Sequence, residues 1–261
     1  MKKRLIFTLL YYEDFFVLSR NFRLQKVGDI RWIEDYYNFK QIAFSIDELV
    51  ILNINRDEKH ISKFCDVVSK LIHNVFVPVA VGGGINSMEY AEMLFMSGAD
   101  KIIVNTAVHE RGDLVKQLIQ KYGAQSIIAS IDFDVENGKP QIFTHNGTIK
   151  VDVAFRDYLK YIADLGVGEV YINSIRKDGT GQGYDLEILS EFLPIVKLPV
   201  IMAGGAGNSK HLIEAINNQS VDAVATANLF NFIGRALPNS RNEMLDAGIN
   251  LARFHNNFSG Q

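Results

Sequence analysis

The chain is poor in the residues that would place it outside the ordinary globular classes. Its 261 residues include one cysteine, Cys65, and only 5 prolines. A lone cysteine forms no internal disulfide and no thiolate metal cluster. No apolar run reaches the roughly 18 residues that a membrane helix needs. Met1 to Arg4 followed by Leu5-Ile6-Phe7-Thr8-Leu9-Leu10 imitates a signal peptide. That run ends at Glu13-Asp14 with no small-residue cleavage site, so it reads as a strand. Charge of one sign is missing too: 27 Lys+Arg stand against 30 Asp+Glu, a net −3 with no basic block. Neither nucleic acid nor a membrane is an expected partner. Six histidines (His60, His73, His109, His145, His211 and His255) show no ligand spacing such as i, i+4. No metal and no cofactor are expected, and the location expected is cytoplasmic.

What is present is a regular alternation. Apolar runs of strand length recur at Arg4–Leu10, Glu48–Ile54, Val75–Val81, Lys101–Thr106, Ser126–Phe133, Glu169–Ile175, Leu198–Met202 and Ala223–Leu229. Amphipathic stretches separate most of them, such as Ile61–His73, where Phe64, Val67, Val68 and Leu71 recur at helical spacing. Continuously apolar strands between helices predict a parallel sheet covered on both faces. Eight such strands fit a closed (β/α)8 barrel and also an open doubly wound sheet. Asn137-Gly138 and Asn146-Gly147 predict hairpin turns, making the fifth loop a pair of short strands. Trp32 and Tyr36-Tyr37 read as a stretch before the first helix, and Cys65 as a packing thiol on the helix after the second strand.

An internal repeat decides for the barrel. Val77-Pro78-Val79-Ala80-Val81-Gly82-Gly83-Gly84 matches Leu198-Pro199-Val200-Ile201-Met202-Ala203-Gly204-Gly205 at an offset of 199 − 78 = 121. The same offset lays Asp47–Ile54 over Gly168–Ile175, and Asp100 falls over Asp222 after a one-residue slip. The expectation is one (β/α)8 domain over residues 1–261. Its half-barrels are about 1–122 and 123–240, with a C-terminal helix and tail to 261.

In such barrels the loops after the strands build the site. Gly82-Gly83-Gly84 follows the third strand and Gly204-Gly205-Ala206-Gly207 the seventh. Glycines let backbone approach a ligand closely, and N–H groups at helix starts attract anions. Asp178-Gly179-Thr180-Gly181 after the sixth strand has the same character. Ala227-Asn228 after the eighth could complete one phosphate cradle, and Asn105-Thr106 after the fourth could serve the other. Two facing cradles imply an elongated ligand phosphorylated at each end.

The strand starts carry a different pattern: Arg4, Glu48, Lys101 and Glu169. Side chains alternate faces along a strand. If Leu10 and Asn105 face the barrel mouth, Arg4 and Lys101 face the bottom, about 20 Å away at roughly 3.3 Å per residue. Two cations and two anions at that level can satisfy one another.

Val81-Gly82-Gly83-Gly84-Ile85, Gly98-Ala99-Asp100-Lys101, Asn105-Thr106-Ala107, Ile131-Asp132, Lys177-Asp178-Gly179-Thr180, Gly183-Tyr184-Asp185 and Gly204-Gly205-Ala206-Gly207 resemble the cyclase subunit of imidazole glycerol phosphate synthase, the HisF family. The likeness runs from about Arg4 to Arg253. It implies a barrel of duplicated halves that takes ammonia from a glutaminase docked at its bottom. At its top, such a barrel closes an imidazole ring on a bis-phosphorylated ribonucleotide. It further implies general acid/base work by two aspartates, at the ends of strands one and five, and an ammonia gate at Arg4, Glu48, Lys101 and Glu169.

One aspartate of that pair is absent. Asp132 ends the fifth strand, but Leu10 occupies the other position, and 132 − 10 = 122 is the offset of the repeat. An isobutyl group neither gives nor takes a proton. Asn53 replaces the family's aspartate on the second strand, Leu18-Ser19-Arg20 its Lys-Gly-Thr stretch, and Arg176 an acid. A gate kept beside a broken proton-transfer pair resembles the second HisF paralogue of surface-polysaccharide loci (WbuZ-type). That likeness implies sugar amidation, with a separate synthetase-like subunit activating the acceptor. Two other readings stay open: a genuine cyclase of histidine biosynthesis, and a catalytically silent scaffold that binds bis-phosphates.

Overall fold

Strand β1 (Arg4–Tyr12) is the seam at which the sheet closes. The structure is a computed structural model, and it describes residues 2–36, 42, 44–55, 61–73, 75–192, 197–228 and 234–254. On one side β1 pairs in parallel with β4 (Glu48–Asn53), which continues to β5 (Val79–Gly82), β6 (Lys101–Val104) and β7 (Ile127–Glu136). From β7 the sheet runs through β10 (Glu169–Ser174), β11 (Val200–Ala203) and β12 (Ala223–Thr226) back to β1. All eight ladders are parallel, and helices lie between successive strands, so the fold is the (β/α)8 barrel expected from the repeat. Each predicted strand is present, with ends moved by a few residues. Leu229 lies outside the described residues.

The repeat is visible in hydrogen bonds as well as letters. Asp100 Oδ2 accepts from Val79 N–H at 2.8 Å, and Asp222 Oδ2 accepts from Val200 N–H at 3.0 Å. Ser87 caps the helix Met88–Met96 and Asn208 caps Ser209–Ile216, again 208 − 87 = 121 residues apart. A cap placed on the last free N–H groups of a helix start stabilises it by about 1 kcal/mol. Retaining the caps in both halves fixes where each helix begins.

Alternation along the strands divides the core in two. Leu5, Phe7 and Leu9 face outward and pack with the helices, among them Phe64, Cys65, Val68 and Leu71 of Ile61–Ile72. Ile6, Val50, Ala80, Ile103, Ile128, Tyr171, Ile201, Ala223 and Ala225 face inward as a separate cluster filling the barrel. Cys65 is buried in the outer layer, as its helical position predicts.

Two features differ from expectation. Trp32 and Tyr36 belong to a helix of their own, Ile30–Tyr36, with rings stacked at 4.8 Å between centroids; Tyr37 lies outside the described residues. The loop after β1, for which the sequence reading names no strands, is a hairpin of β2 (Phe15–Arg20) and β3 (Arg23–Gly28). The fifth loop forms β8 (Lys139–Thr144) and β9 (Ile149–Val151), with the hairpin turns that the Asn-Gly pairs predict. Among the described residues no helix is long and apolar enough to cross a membrane.

Candidate active site at the barrel mouth

The inward face of the barrel is layered along its axis. At the bottom, Arg4, Glu48, Lys101 and Glu169 form a closed ring of alternating sign. Arg4 Nη1 donates to Glu48 Oε2 at 2.8 Å, and Arg4 Nη2 donates to Glu169 Oε2. Lys101 Nζ reaches Glu48 Oε2 at 3.2 Å and Glu169 Oε1 at 2.6 Å. Burial is the largest influence on Glu48 and leaves its carboxyl raised, although Lys101 and Arg4 pull it down. On Glu169 burial also acts upward, but hydrogen bonds from Arg4 and Lys101 outweigh it and the net shift is downward. Above the ring lies the apolar layer. Its ceiling is Tyr171, whose hydroxyl lies 3.2 Å from Thr8 Oγ1 across the barrel.

Above that ceiling opens a cavity of about 1460 Å³. Leu10, Gly83, Gly84, Asn105, Thr106, Asp132, Asp178, Gly179, Gly204, Gly205, Ala227 and Asn228, all named from sequence, line it together. The glycines have a steric reason to be there. Gly83 has φ +109, and a Cβ on it would sit 1.9 Å from the Asn53 carbonyl oxygen. Gly204, at the equivalent position, is also left-handed.

Asp132 is the ionisable group at the centre. Asn105 Nδ2 donates to its Oδ2 at 3.2 Å and Asn173 Nδ2 to its Oδ1 at 3.1 Å. Burial pushes the carboxyl up to about 7; the Asn173 hydrogen bond works against this and the charge of Asp178 adds to it. A group with that pKa holds comparable amounts of acid and base near neutrality, which suits proton transfer in either direction.

Linkage follows with a definite sign. The folded value lies above the ordinary 3.8, so the stability that Asp132 contributes is fully present below about pH 4. It is lost as pH rises towards 7. Asp132→Asn should therefore flatten the fall in stability between those limits, by at most about 4 kcal/mol. Urea titrations of both proteins at pH 4.5 and pH 7.5 check this.

Opposite Asp132 the wall is apolar. β1 and β7 stand four strands apart in either direction around the barrel, and Leu10 is paired there with Leu52 and Val17. Beside it, Asn53 Oδ1 accepts from Asn55 N–H and Nδ2, while the buried Asn53 Nδ2 has no hydrogen-bond partner among the described residues. Asp178 lines the cavity, but its carboxylate is taken by the β2–β3 hairpin: Ser19 Oγ and Phe22 N–H both donate to Oδ2. Burial still leaves it raised. The hairpin thus forms a lid at the cavity rim, tied to the loop after β10. Asn21 Nδ2 adds bonds to the Ile175 and Arg176 carbonyls, and Phe22 lies on Gly147, where a Cβ would meet its ring at 2.6 Å. Arg176 turns instead to Asp185, with a bidentate pair at 2.6 and 2.8 Å.

Sequence reasoning named Leu18-Ser19-Arg20 only as a departure from the family pattern, and set His145 aside with the other histidines. That side chain lines the cavity with its Nε2 3.7 Å from Glu110 Oε1. No sequence spacing links those two residues; the fifth loop brings them together. His60 and His255 lie outside the described residues. Among the described residues no group of three His, Cys, Asp or Glu side chains converges as a metal would require.

Comparison with known proteins agrees with this architecture. The family model for histidine biosynthesis proteins matches residues 33–234. The chain is 43% identical over 254 residues to the provisionally named imidazole glycerol phosphate synthase subunit hisF2 of Parasynechococcus marenigrum, covering 97% of this chain and 94% of the relative. It is 36% identical over 226 residues to subunit HisF of Chlorobium limicola, covering 87% and 88%. To subunit HisF of an Exiguobacterium species it is 36% identical over 207 residues, covering 79% of each.

Proposed function

Because the chain belongs to the histidine biosynthesis family, and within it to the HisF subunits of imidazole glycerol phosphate synthase, we propose that it is a cytoplasmic synthase subunit fed with ammonia by a partner glutaminase. The ammonia enters through the charged ring at the barrel bottom and reaches an acceptor in the mouth. The acceptor in this reading is a phosphorylated sugar of surface-polysaccharide biosynthesis. A separate synthetase-like subunit turns the oxygen of its acetamido group into a leaving group, and ammonia displaces that oxygen to give an acetamidino group. The phosphate falls to the glycine loops, at Gly83-Gly84 with Asn105-Thr106 and at Gly204-Gly205 with Ala227-Asn228, and Asp132 handles the proton.

One observation carries the choice of acceptor. The ring of Arg4, Glu48, Lys101 and Glu169 is complete, while the wall facing Asp132 holds Leu10 between Val17 and Leu52. Delivery is retained and one of two proton-transfer groups is not. General acid or base catalysis contributes typically 10²–10⁴-fold. The purified chain, given ammonia and the family's bis-phosphorylated ribonucleotide, should therefore turn over about 10²–10⁴-fold more slowly than an ordinary HisF subunit. Turnover within about threefold of such a subunit would overturn this reading in favour of a genuine cyclase. That alternative draws its support from Asp132, whose pKa of about 7 suits ring-closure chemistry on its own.

A further inference from the structure

The tip of the lid carries two arginines, Arg20 and Arg23, that no ion pair among the described residues neutralises. Arg20 and Arg23 are directly paired across the two-residue turn Asn21-Phe22. Facing side chains in an antiparallel pair have Cβ atoms about 5 Å apart, and like charges there are destabilising. Among the described residues neither arginine has an ion-pair partner; the ring uses Arg4, and the other paired lid cation is Lys26, on Glu13. Both side chains are exposed, at the rim of the cavity. Register puts Leu18 and Gln25 on the same side, and Leu18 packs against the core. Leu18, Arg20, Arg23 and Gln25 all line the cavity.

The turn that brings the two arginines together is held against its own preference. Asn21 and Phe22 have φ of 50 and 60, a pattern that favours Asn-Gly and is uncommon for a bulky side chain. Strain of that kind persists where surrounding structure over-determines it. Here Phe22 is wedged against Gly147, and Asn21 and Phe22 are bonded to Ile175, Arg176 and Asp178. The two guanidinium groups are therefore carried on a fixed mount. The remaining charge around the cavity does not cancel them: Asp178 is occupied by the lid backbone and Ser19, Glu110 lies against His145, and Asp132 is bonded to two carboxamides.

We propose that Arg20 and Arg23 form a two-pronged site on the lid for an oxyanion, a carboxylate or a phosphate, carried by the acceptor. Guanidinium groups suit planar or tetrahedral oxyanions through paired, charge-assisted hydrogen bonds. Binding of such a group removes the repulsion that the empty hairpin bears. The site is distinct from Gly83-Gly84 and Gly204-Gly205, whereas Gly179 of the sixth-strand loop lies directly against the backbone of Ser19 and Arg20. The identification of the anion's carrier as the ammonia acceptor rests on the function proposed above; the anion site itself does not.

The test uses the full chain without a partner, at low salt, with four probes read by calorimetric titration: D-glucose, D-glucuronate, D-glucose 6-phosphate and inorganic phosphate. Either the glucuronate or the glucose phosphate should bind at least about tenfold more tightly than glucose, and which of them does identifies the anion. Arg20→Gln combined with Arg23→Gln should remove that preference, and Arg20→Lys with Arg23→Lys should restore part of it. Inorganic phosphate, which the glycine loops also hold, should still bind the Gln variant, though more weakly than it binds the parent. Charged sugars that bind no better than glucose would overturn the proposal. So would a preference that survives the double Gln change. A lost preference together with absent glutamine-dependent transfer would leave the anion site standing and sink only the ammonia reading.

Discussion

Leu10→Asp should raise ammonia-dependent ring closure on the family's ribonucleotide by about 10²–10⁴-fold, the range typical of a positioned acid or base. Position 10 lies opposite Asp132 across the barrel, on the inward face that also carries Arg4, Ile6 and Thr8. A carboxylate there would meet the same cavity as Asp132 and could take the complementary half of the proton traffic. The change removes an isobutyl group that is 9% exposed and packed with Val17 and Leu52, so a loss of about 1–3 kcal/mol in stability accompanies it. Leu10→Asn separates the two effects, because it loses the same apolar contact and brings no titratable group. Turnover of the Asp variant should exceed that of the Asn variant by the full factor. A second signature is a new limb in the pH–rate profile, absent from both the parent and the Asn variant. Equal rates for Asp and Asn would show that the deficit does not lie in the missing acid.

Why Leu10 could be identified from sequence while the lid could not has a physical basis. Parallel barrel strands are buried on both faces, so they read as continuous apolar runs whatever the helices do. Duplication then fixes the register, and Leu10 against Asp132 falls out by subtraction. The charged ring is legible for a related reason: the two-residue period of a strand carries Arg4 and Lys101 to the bottom once Leu10 and Asn105 are placed at the top.

The β2–β3 hairpin offers neither signal. Its second strand, Arg23-Leu24-Gln25-Lys26-Val27-Gly28, is half polar, and its turn is Asn-Phe where a hairpin turn normally advertises itself with Asn-Gly. What holds it is tertiary, namely the Asp178 carboxylate and the surface of Gly147. His145 and Glu110 meet for the same kind of reason, 35 residues apart in sequence (145 − 110) and joined only when the fifth loop folds over the fourth strand's end. Asp178 was legible as part of a glycine-rich loop, whereas its engagement with Ser19 depends on a lid that local pattern does not announce.

The charged ring makes the second large prediction, and its geometry sets the sign. Each carboxylate in the ring is held by two cations, and each cation by two carboxylates. Glu48, with 2% of its side chain exposed, depends on that arrangement most, since burial already drives its carboxyl upward. Lys101→Met leaves Glu48 and Glu169 to share Arg4 alone. Breaking one arm of a buried ion pair costs about 3–5 kcal/mol. The lower end applies, because the Lys101 side chain is 18% exposed and water can reach the gap. Glu48 should then titrate at still higher pH, so that the variant's stability falls more steeply than the parent's as pH rises above the ordinary carboxylate range. In the complex with the glutaminase, Lys101→Met should cut glutamine-dependent product formation by about tenfold or more, equivalent to 1.4 kcal/mol on transfer. Product formed from ammonia added to the solution should stay within about twofold, because that ammonia reaches the mouth without crossing the ring. Lys101→Glu, which sets three carboxylates against one guanidinium, should deepen the first effect and leave the second alone. If glutamine-dependent formation is unchanged in both variants, the ring is a structural closure of the barrel and ammonia takes another way in.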